Sequence, residues 1–288
     1  MERKIETFSW EGMSIEYSVV GKGEPIFVMH GGHSNCHEEM GYKGLVDNGF
    51  SIITPSRAGY GGTSKEVGKS LSTACECYCG LMRHLNIEKV HLLAISAGGP
   101  SGIYFAAHYP KLVKTLTLQS AVTKRWIQPK DKEYIAAKII FQPFSEKVTW
   151  TFISALGNRF PQFVFRQMFS SFSNLIYSEA KDKIADSDIE ALQKMNNRQR
   201  SGSGFMVDLT HIKELTITDL QTVTCPTLIM HSKHDAAVSL EHPYHAHQHI
   251  PLSELCLLES WGHLIWLGNT ANKSEEKTVQ FLKLNHLS

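Results

Sequence analysis

The sequence predicts an α/β fold: a mostly parallel sheet flanked by helices, with a helical lid inserted between the fourth and fifth apolar runs. Three observations predict it. Short apolar runs bounded by turn residues recur along the chain, as expected of strands buried on both faces. Segments of helical character separate most of them, which implies right-handed crossovers and parallel pairing. One long aromatic-rich stretch interrupts the alternation. A chain of 288 residues suits an α/β core that carries such an insertion.

The elements follow in order. The charged segment Met1 to Thr7 has no apolar h-region, so no signal peptide is expected and the cytoplasm is the expected location. Pro25 to Met29 is the first apolar run, ending in His30-Gly31-Gly32-His33. Phe50 to Pro55 is the second and leads into Arg57-Ala58-Gly59-Tyr60-Gly61-Gly62-Thr63-Ser64. Thr73 to Asn86 reads as a helix, Val90 to Ile95 as a strand, Pro100 to Tyr109 as a helix, and Val113 to Leu118 as a strand. After the interruption come a strand at Thr227 to Met230, a helix at Ser239 to Ile250, a strand at Leu255 to Leu258 and a helix at Ser274 to Leu284.

The strand at Val90 ends on Ser96-Ala97-Gly98-Gly99. A serine ringed by small residues between a strand and a helix has the chemistry of a nucleophile elbow. Ala94 and Gly98 are small, as expected if the tight turn brings positions two before and two after the serine together. Ala94 departs from the strict Gly-x-Ser-x-Gly pattern.

Taken together, the His30-Gly31-Gly32 loop, the Arg57 to Ser64 loop, the Ser96 elbow, Asp235 after a late strand and Gly262-His263 after the last one resemble the α/β-hydrolase fold superfamily, in its capped, carboxylesterase-like form with a serine nucleophile. The resemblance spans nearly the whole chain, and the order Ser, Asp, His is the one that this superfamily uses. It implies Ser96 as nucleophile, His263 as base and Asp235 as the acid that orients His263. Asp219, before the late strand, and Glu259, four residues from His263, are poorer choices for the acid. The amides of Ala97 and Gly32 are the expected oxyanion donors, with His33 as the neighbour of Gly32, and His30 is expected to brace that loop. The resemblance also places the lid after the sixth core strand and divides the chain into a first core part (1–123), a cap (124–214) and a second core part (215–288).

The cap region carries thirteen of the chain's twenty-eight aromatic residues, from Trp126 through Tyr134, Phe141 and Phe144 to Phe205. Spacing such as Phe165-Phe169-Phe172 favours helices over strands. Some aromatics must pack the lid and others should line an apolar pocket. Arg198 to Gly204 reads as an exposed, solvated turn. His242, His245 and His249 share a helix face, which reads as solvent-facing rather than as a metal site. Cys75 and Cys79 would share one helix face with Cys77 pointing away, as helical filler rather than a zinc site or disulfide framework.

Composition narrows the function. A net charge of +1 gives no basic field for nucleic acid or a membrane surface, and no apolar run is long enough to span a bilayer. The expected chemistry needs no cofactor and no metal. The first reading is hydrolysis of a carboxylic ester or related small apolar or aromatic acyl compound. Carbon–carbon bond hydrolysis and perhydrolysis would use the same triad. A ligand-binding signalling protein with little turnover is the reading from another class. Serine at the elbow argues against the dehalogenase and epoxide hydrolase members, which use aspartate there. An aromatic lid can also double as a surface for a homodimer.

Overall fold

The computed structural model describes residues 2–126 and 143–285. Tyr134 and Phe141 of the aromatic-rich segment lie outside these, and the side chain of Phe144 is not described. Among these residues eight strands form one sheet: β1 (Arg3–Trp10), β2 (Met13–Gly21), β3 (Glu24–Met29), β4 (Phe50–Pro55), β5 (Val90–Ile95), β6 (Val113–Gln119), β7 (Thr227–Ser232) and β8 (Ser253–Leu258). Their order is β1-β2-β4-β3-β5-β6-β7-β8. From β4 to β8 every pairing is parallel, while β1 with β2 and β2 with β4 are antiparallel.

The apolar runs are continuous because both faces of the sheet are covered. On one face, Phe27, Met29, Leu92, Ala94, Leu116 and Leu118 pack with α2 (Leu71–His84) and α3 (Gly99–His108). On the other, Ile26, Val28, Leu93, Ile95, Leu228 and Met230 pack with α1 (Tyr42–Asp47) and α10 (Ala271–Leu284). Between β6 and β7 lie α4 (Pro143–Arg159), α5 (Pro161–Phe172), α6 (Asp186–Arg198) and α7 (Gly204–Glu214). The short α8 (Ile217–Gln221) precedes β7, and α9 (Glu241–His249) joins β7 to β8.

Two local expectations are corrected by burial, and a third is extended: all three clustered cysteines are buried, Cys77 included. The N-terminal hairpin lies against α2, with Phe8 stacked on His84 and Arg83 over Trp10, so the helix face carrying Cys77 is covered too. Arg198 to Gly204 is not a solvated turn. Arg198 pairs with the buried Glu38, its Nη2 lying 2.7 Å from Oε1, and Ser201 is fully buried. His242 faces inward rather than to solvent. Its Nδ1 accepts the Thr123 N–H at 3.0 Å, and Thr123 Oγ1 donates to its carbonyl at 2.8 Å.

Burial, aided by the charge of Lys124, pushes the His242 pKa from 6.5 down to about 4. The unfolded chain therefore binds one more proton than the fold between those values, and the stability that this group contributes is complete above about 6.5 and lost as the pH falls toward 4. Thermal melting followed from pH 7.5 to 4.5 should show Tm declining through this window. A His242→Asn variant, which keeps an acceptor for Thr123, should decline less steeply. An unchanged slope would show that His242 does not contribute to the decline.

Candidate active site

Ser96 closes β5 with a backbone φ of +50°, a left-handed conformation that costs a residue bearing a Cβ about 1–2 kcal/mol. The turn Ser96–Gly98 then opens α3. The smallness of Gly98 has a different cause from the one the motif suggested. A Cβ there would lie 2.2 Å from the Met29 carbonyl oxygen and 2.7 Å from that of His30, at the end of β3. Ala94 faces Gly102 of α3, not Gly98. The elbow is therefore pressed against the neighbouring strand, and this pressure holds the Ser96 side chain at the strand ends.

The side chains of Ser96, His263 and Asp235 come together there. Ser96 is half-buried, and its Oγ is 2.9 Å from His263 Nε2. His263 Nδ1 is 2.7 Å from Asp235 Oδ2. Nδ1–H donates to the carboxylate, which leaves Nε2 to accept the serine O–H. Asp235 Oδ1 accepts the amides of Ala237 and Val238, each at 2.8 Å. Asp219 and Glu259 lie elsewhere: Asp219 belongs to the capping box that starts α8, and the exposed Glu259 pairs with Lys233.

Gly262 precedes His263 for reasons of space rather than flexibility. A Cβ there would lie 2.4 Å from the Phe172 carbonyl oxygen. That same oxygen accepts the His263 N–H at 2.8 Å. Ser120 Oγ donates to the His263 carbonyl at 2.8 Å, so the histidine backbone is held from both directions.

Gly32 and Ala97 face each other across the mouth of the elbow. A Cβ built on Gly32 would sit 3.6 Å from that of Ala97. The Ala97 N–H opens a helical turn, where amides have no partner within the helix. His30 does brace the loop: its Nε2 accepts the Arg57 N–H at 2.8 Å, and its Nδ1–H donates to the Gly31 carbonyl at 2.7 Å. Burial, together with the nearby Arg57 charge, holds the His30 pKa well below its usual value, so the ring is neutral.

A cavity of about 450 Å³ adjoins Ser96. Gly31, Gly32, Ala97 and His263 line one part, and Trp126, Trp150, Met168, Phe172, Phe205 and Leu264 supply much of the apolar wall. The aromatics of the inserted segment thus divide. Trp126, Trp150, Phe172 and Phe205 line the cavity, Phe165 and Phe169 pack against Trp261, and Phe152, Phe160 and Phe163 are exposed. His33 also lines the cavity, stacked on Phe205, with Nδ1 2.7 Å from Ser201 Oγ. Burial pushes its pKa down to about 3.

Sequence reasoning missed His231. At the end of β7, its Nε2 lies 2.8 Å from the Val238 carbonyl and 3.2 Å from Asp235 Oδ2. Both are acceptors, so Nε2 carries the proton. Its only sequence signal is its place four residues before Asp235.

A doubly wound sheet with a serine, a histidine and a carboxylate gathered at its strand ends defines a class of α/β enzyme scaffold. The chain belongs to the alpha/beta hydrolase fold family, whose model matches residues 24–270. It is 56% identical over 283 residues to an uncharacterized hydrolase, YcgS, of Bacillus subtilis (strain 168), covering 98% of this chain and 100% of that protein. A second relative, the 2-hydroxy-6-oxo-6-phenylhexa-2,4-dienoate hydrolase of Comamonas testosteroni, is 31% identical over 124 residues, 40% of this chain and 42% of that one. Among solved structures, an alpha/beta hydrolase fold protein from Nakamurella multipartita superposes with a TM-score of 0.83 at 24% identity, covering 97% of this chain and 99% of that one. Among the described residues, no helix is long and apolar enough to cross a membrane.

Substitution of two glycines tests the packing of the elbow. Gly98→Ala should lower stability by at least about 2 kcal/mol, because the atoms it meets are backbone oxygens that cannot move aside. Gly157→Ala, in α4, meets nothing nearer than 3.9 Å and should be neutral or slightly stabilising. Equal melting temperatures for the two variants would contradict the packing assigned to the elbow.

Proposed function

We propose that this protein is a serine hydrolase that cleaves a carboxylic ester, or a related small apolar or aromatic acyl compound, through an acyl-enzyme on Ser96. The observation that carries the reading is the continuous chain from Ser96 Oγ to His263 Nε2 at 2.9 Å and from His263 Nδ1 to Asp235 Oδ2 at 2.7 Å, beside a cavity with a mostly apolar wall that Glu38, Glu39, Glu190, Lys194 and Arg198 also line. Ser96 Oγ attacks the substrate carbonyl carbon while its proton passes to His263 Nε2. The carbonyl oxygen becomes an oxyanion between the Gly32 and Ala97 amides. Donors of this kind typically contribute about 3–4 kcal/mol each to the transition state. Asp235 stabilises the imidazolium. Collapse of the intermediate breaks the bond to the leaving alcohol, which takes the proton from His263. Water then enters, gives a proton to His263 and releases the acid, restoring Ser96.

The segment 124–214 acts as the lid in this reading, and its cavity-lining aromatics select the acyl group. No cofactor or metal takes part, and the cytoplasm is the proposed location. The same proton path would also serve carbon–carbon bond hydrolysis, a reading supported by the likeness to the Comamonas protein. A substrate panel separates the two. Short- and medium-chain p-nitrophenyl esters should turn over steadily, and Ser96→Ala should abolish at least about a thousandfold of kcat with little change in melting temperature. Turnover of a vinylogous diketone alone would favour carbon–carbon cleavage. A single burst, or tight binding without product, would contradict both and favour a signalling role.

A further inference from the structure

The Gly31 carbonyl and the Gly32 N–H belong to one peptide unit. The described backbone has no cis peptide bond. In a planar trans peptide the C=O and N–H point in opposite directions, so whatever holds the Gly31 oxygen also aims the Gly32 N–H. Two donors hold it: His30 Nδ1 at 2.7 Å and Arg57 Nη2 at 3.3 Å. Arg57 Nε donates to the preceding carbonyl, that of His30, at 2.6 Å. One guanidinium thus grips two successive carbonyls of the loop.

Asp208 orients that guanidinium. It lies on α7, in the inserted segment, 151 positions further along the chain. Its carboxylate meets Arg57 in a two-pronged pair, Oδ1 with Nη1 and Oδ2 with Nη2 at 2.9 Å. Tyr60 Oη donates a further bond to Oδ2 at 2.6 Å. Arg57 and Asp208 are both buried. The start of α7 is pressed on the same loop: Ser203 N donates to the Gly59 carbonyl at 3.2 Å, and a Cβ on Gly204 would lie 2.2 Å from the Tyr60 ring. A buried ion pair adds little net stability over a well-packed apolar contact, but its fork fixes direction.

We propose that Asp208 is a positioning residue: through Arg57 it sets the direction of the Gly32 N–H, so that the inserted segment completes the oxyanion pocket of the core. This rests on the serine-hydrolase reading above. The substrate's carbonyl oxygen never touches Asp208. Losing the carboxylate lets the guanidinium rotate and leaves His30 Nδ1 alone on the Gly31 oxygen, so the Gly32 N–H is aimed less firmly at its target.

The test compares wild-type full-length protein with Asp208→Asn, Arg57→Lys and Tyr60→Phe. It measures kcat and KM on a p-nitrophenyl ester, and binding of a trifluoromethyl ketone and its matching carbinol. The ketone forms an oxyanion on the serine, whereas the carbinol does not. Asp208→Asn and Arg57→Lys should lose roughly 10- to 100-fold in kcat, with KM within about twofold. Ketone affinity should fall in parallel while carbinol affinity holds. Tyr60→Phe keeps the ion pair and should show the same pattern on a smaller scale, so it carries the test if the other variants do not fold. Wild-type kcat and ketone affinity in the folded variants would overturn the proposal, as would equal losses for ketone and carbinol. If the wild type itself neither turns over esters nor binds the ketone through Ser96, the hydrolase reading falls and this inference with it. If the wild type does both and the variants match it, only this inference falls.

Discussion

Ser96 occupies a backbone region that costs most residues about 1–3 kcal/mol, and it persists there only because its surroundings leave no other place for it. Its carbonyl accepts the Val122 N–H at 2.9 Å. Gly98 lies against the carbonyls that end β3, and a Cβ on Gly99 would be 2.1 Å from the Val122 oxygen. Strands on both sides of β5 therefore set the serine's backbone angles. β5 is central in the sheet, between β3 and β6, so both neighbours bear on that one residue.

The inserted segment is tied to the core at the points where the candidate chemistry sits. Phe172 gives its carbonyl to the His263 amide. Trp261, two residues before His263, donates its indole N–H to Asp188 of α6 at 3.0 Å. Ser201 meets His33, Arg198 meets Glu38, and Asp208 meets Arg57. Each tie joins a residue of the insertion to a loop at the strand ends. The insertion shapes the cavity and also fixes the loops that carry the polar groups.

Much of this was legible in the sequence for a simple reason. Strands such as Phe50–Pro55 and Val90–Ile95 are buried on both faces, so their apolar runs are unbroken. Ser96, Asp235 and His263 stood out by position after such runs, and their side chains lie within hydrogen-bond reach of one another. The N-terminal hairpin was not read because β1 is an edge strand with alternating half-buried and exposed residues and many charges. Arg198 to Gly204 and His242 misled because polar composition reports what a residue can solvate. Their partners Glu38, His33 and Thr123 lie far away along the chain. The long-range pair of Arg57 with Asp208 left no local pattern at all.

The backbone at Ser96, with His263 and Asp235 behind it, is proposed to create one activated nucleophile. A fluorophosphonate probe followed by peptide mapping tests it most directly. A single adduct on Ser96 is expected, lost in Ser96→Ala and strongly slowed in His263→Ala. Labelling at any other residue, or no labelling of folded wild-type protein, would contradict it.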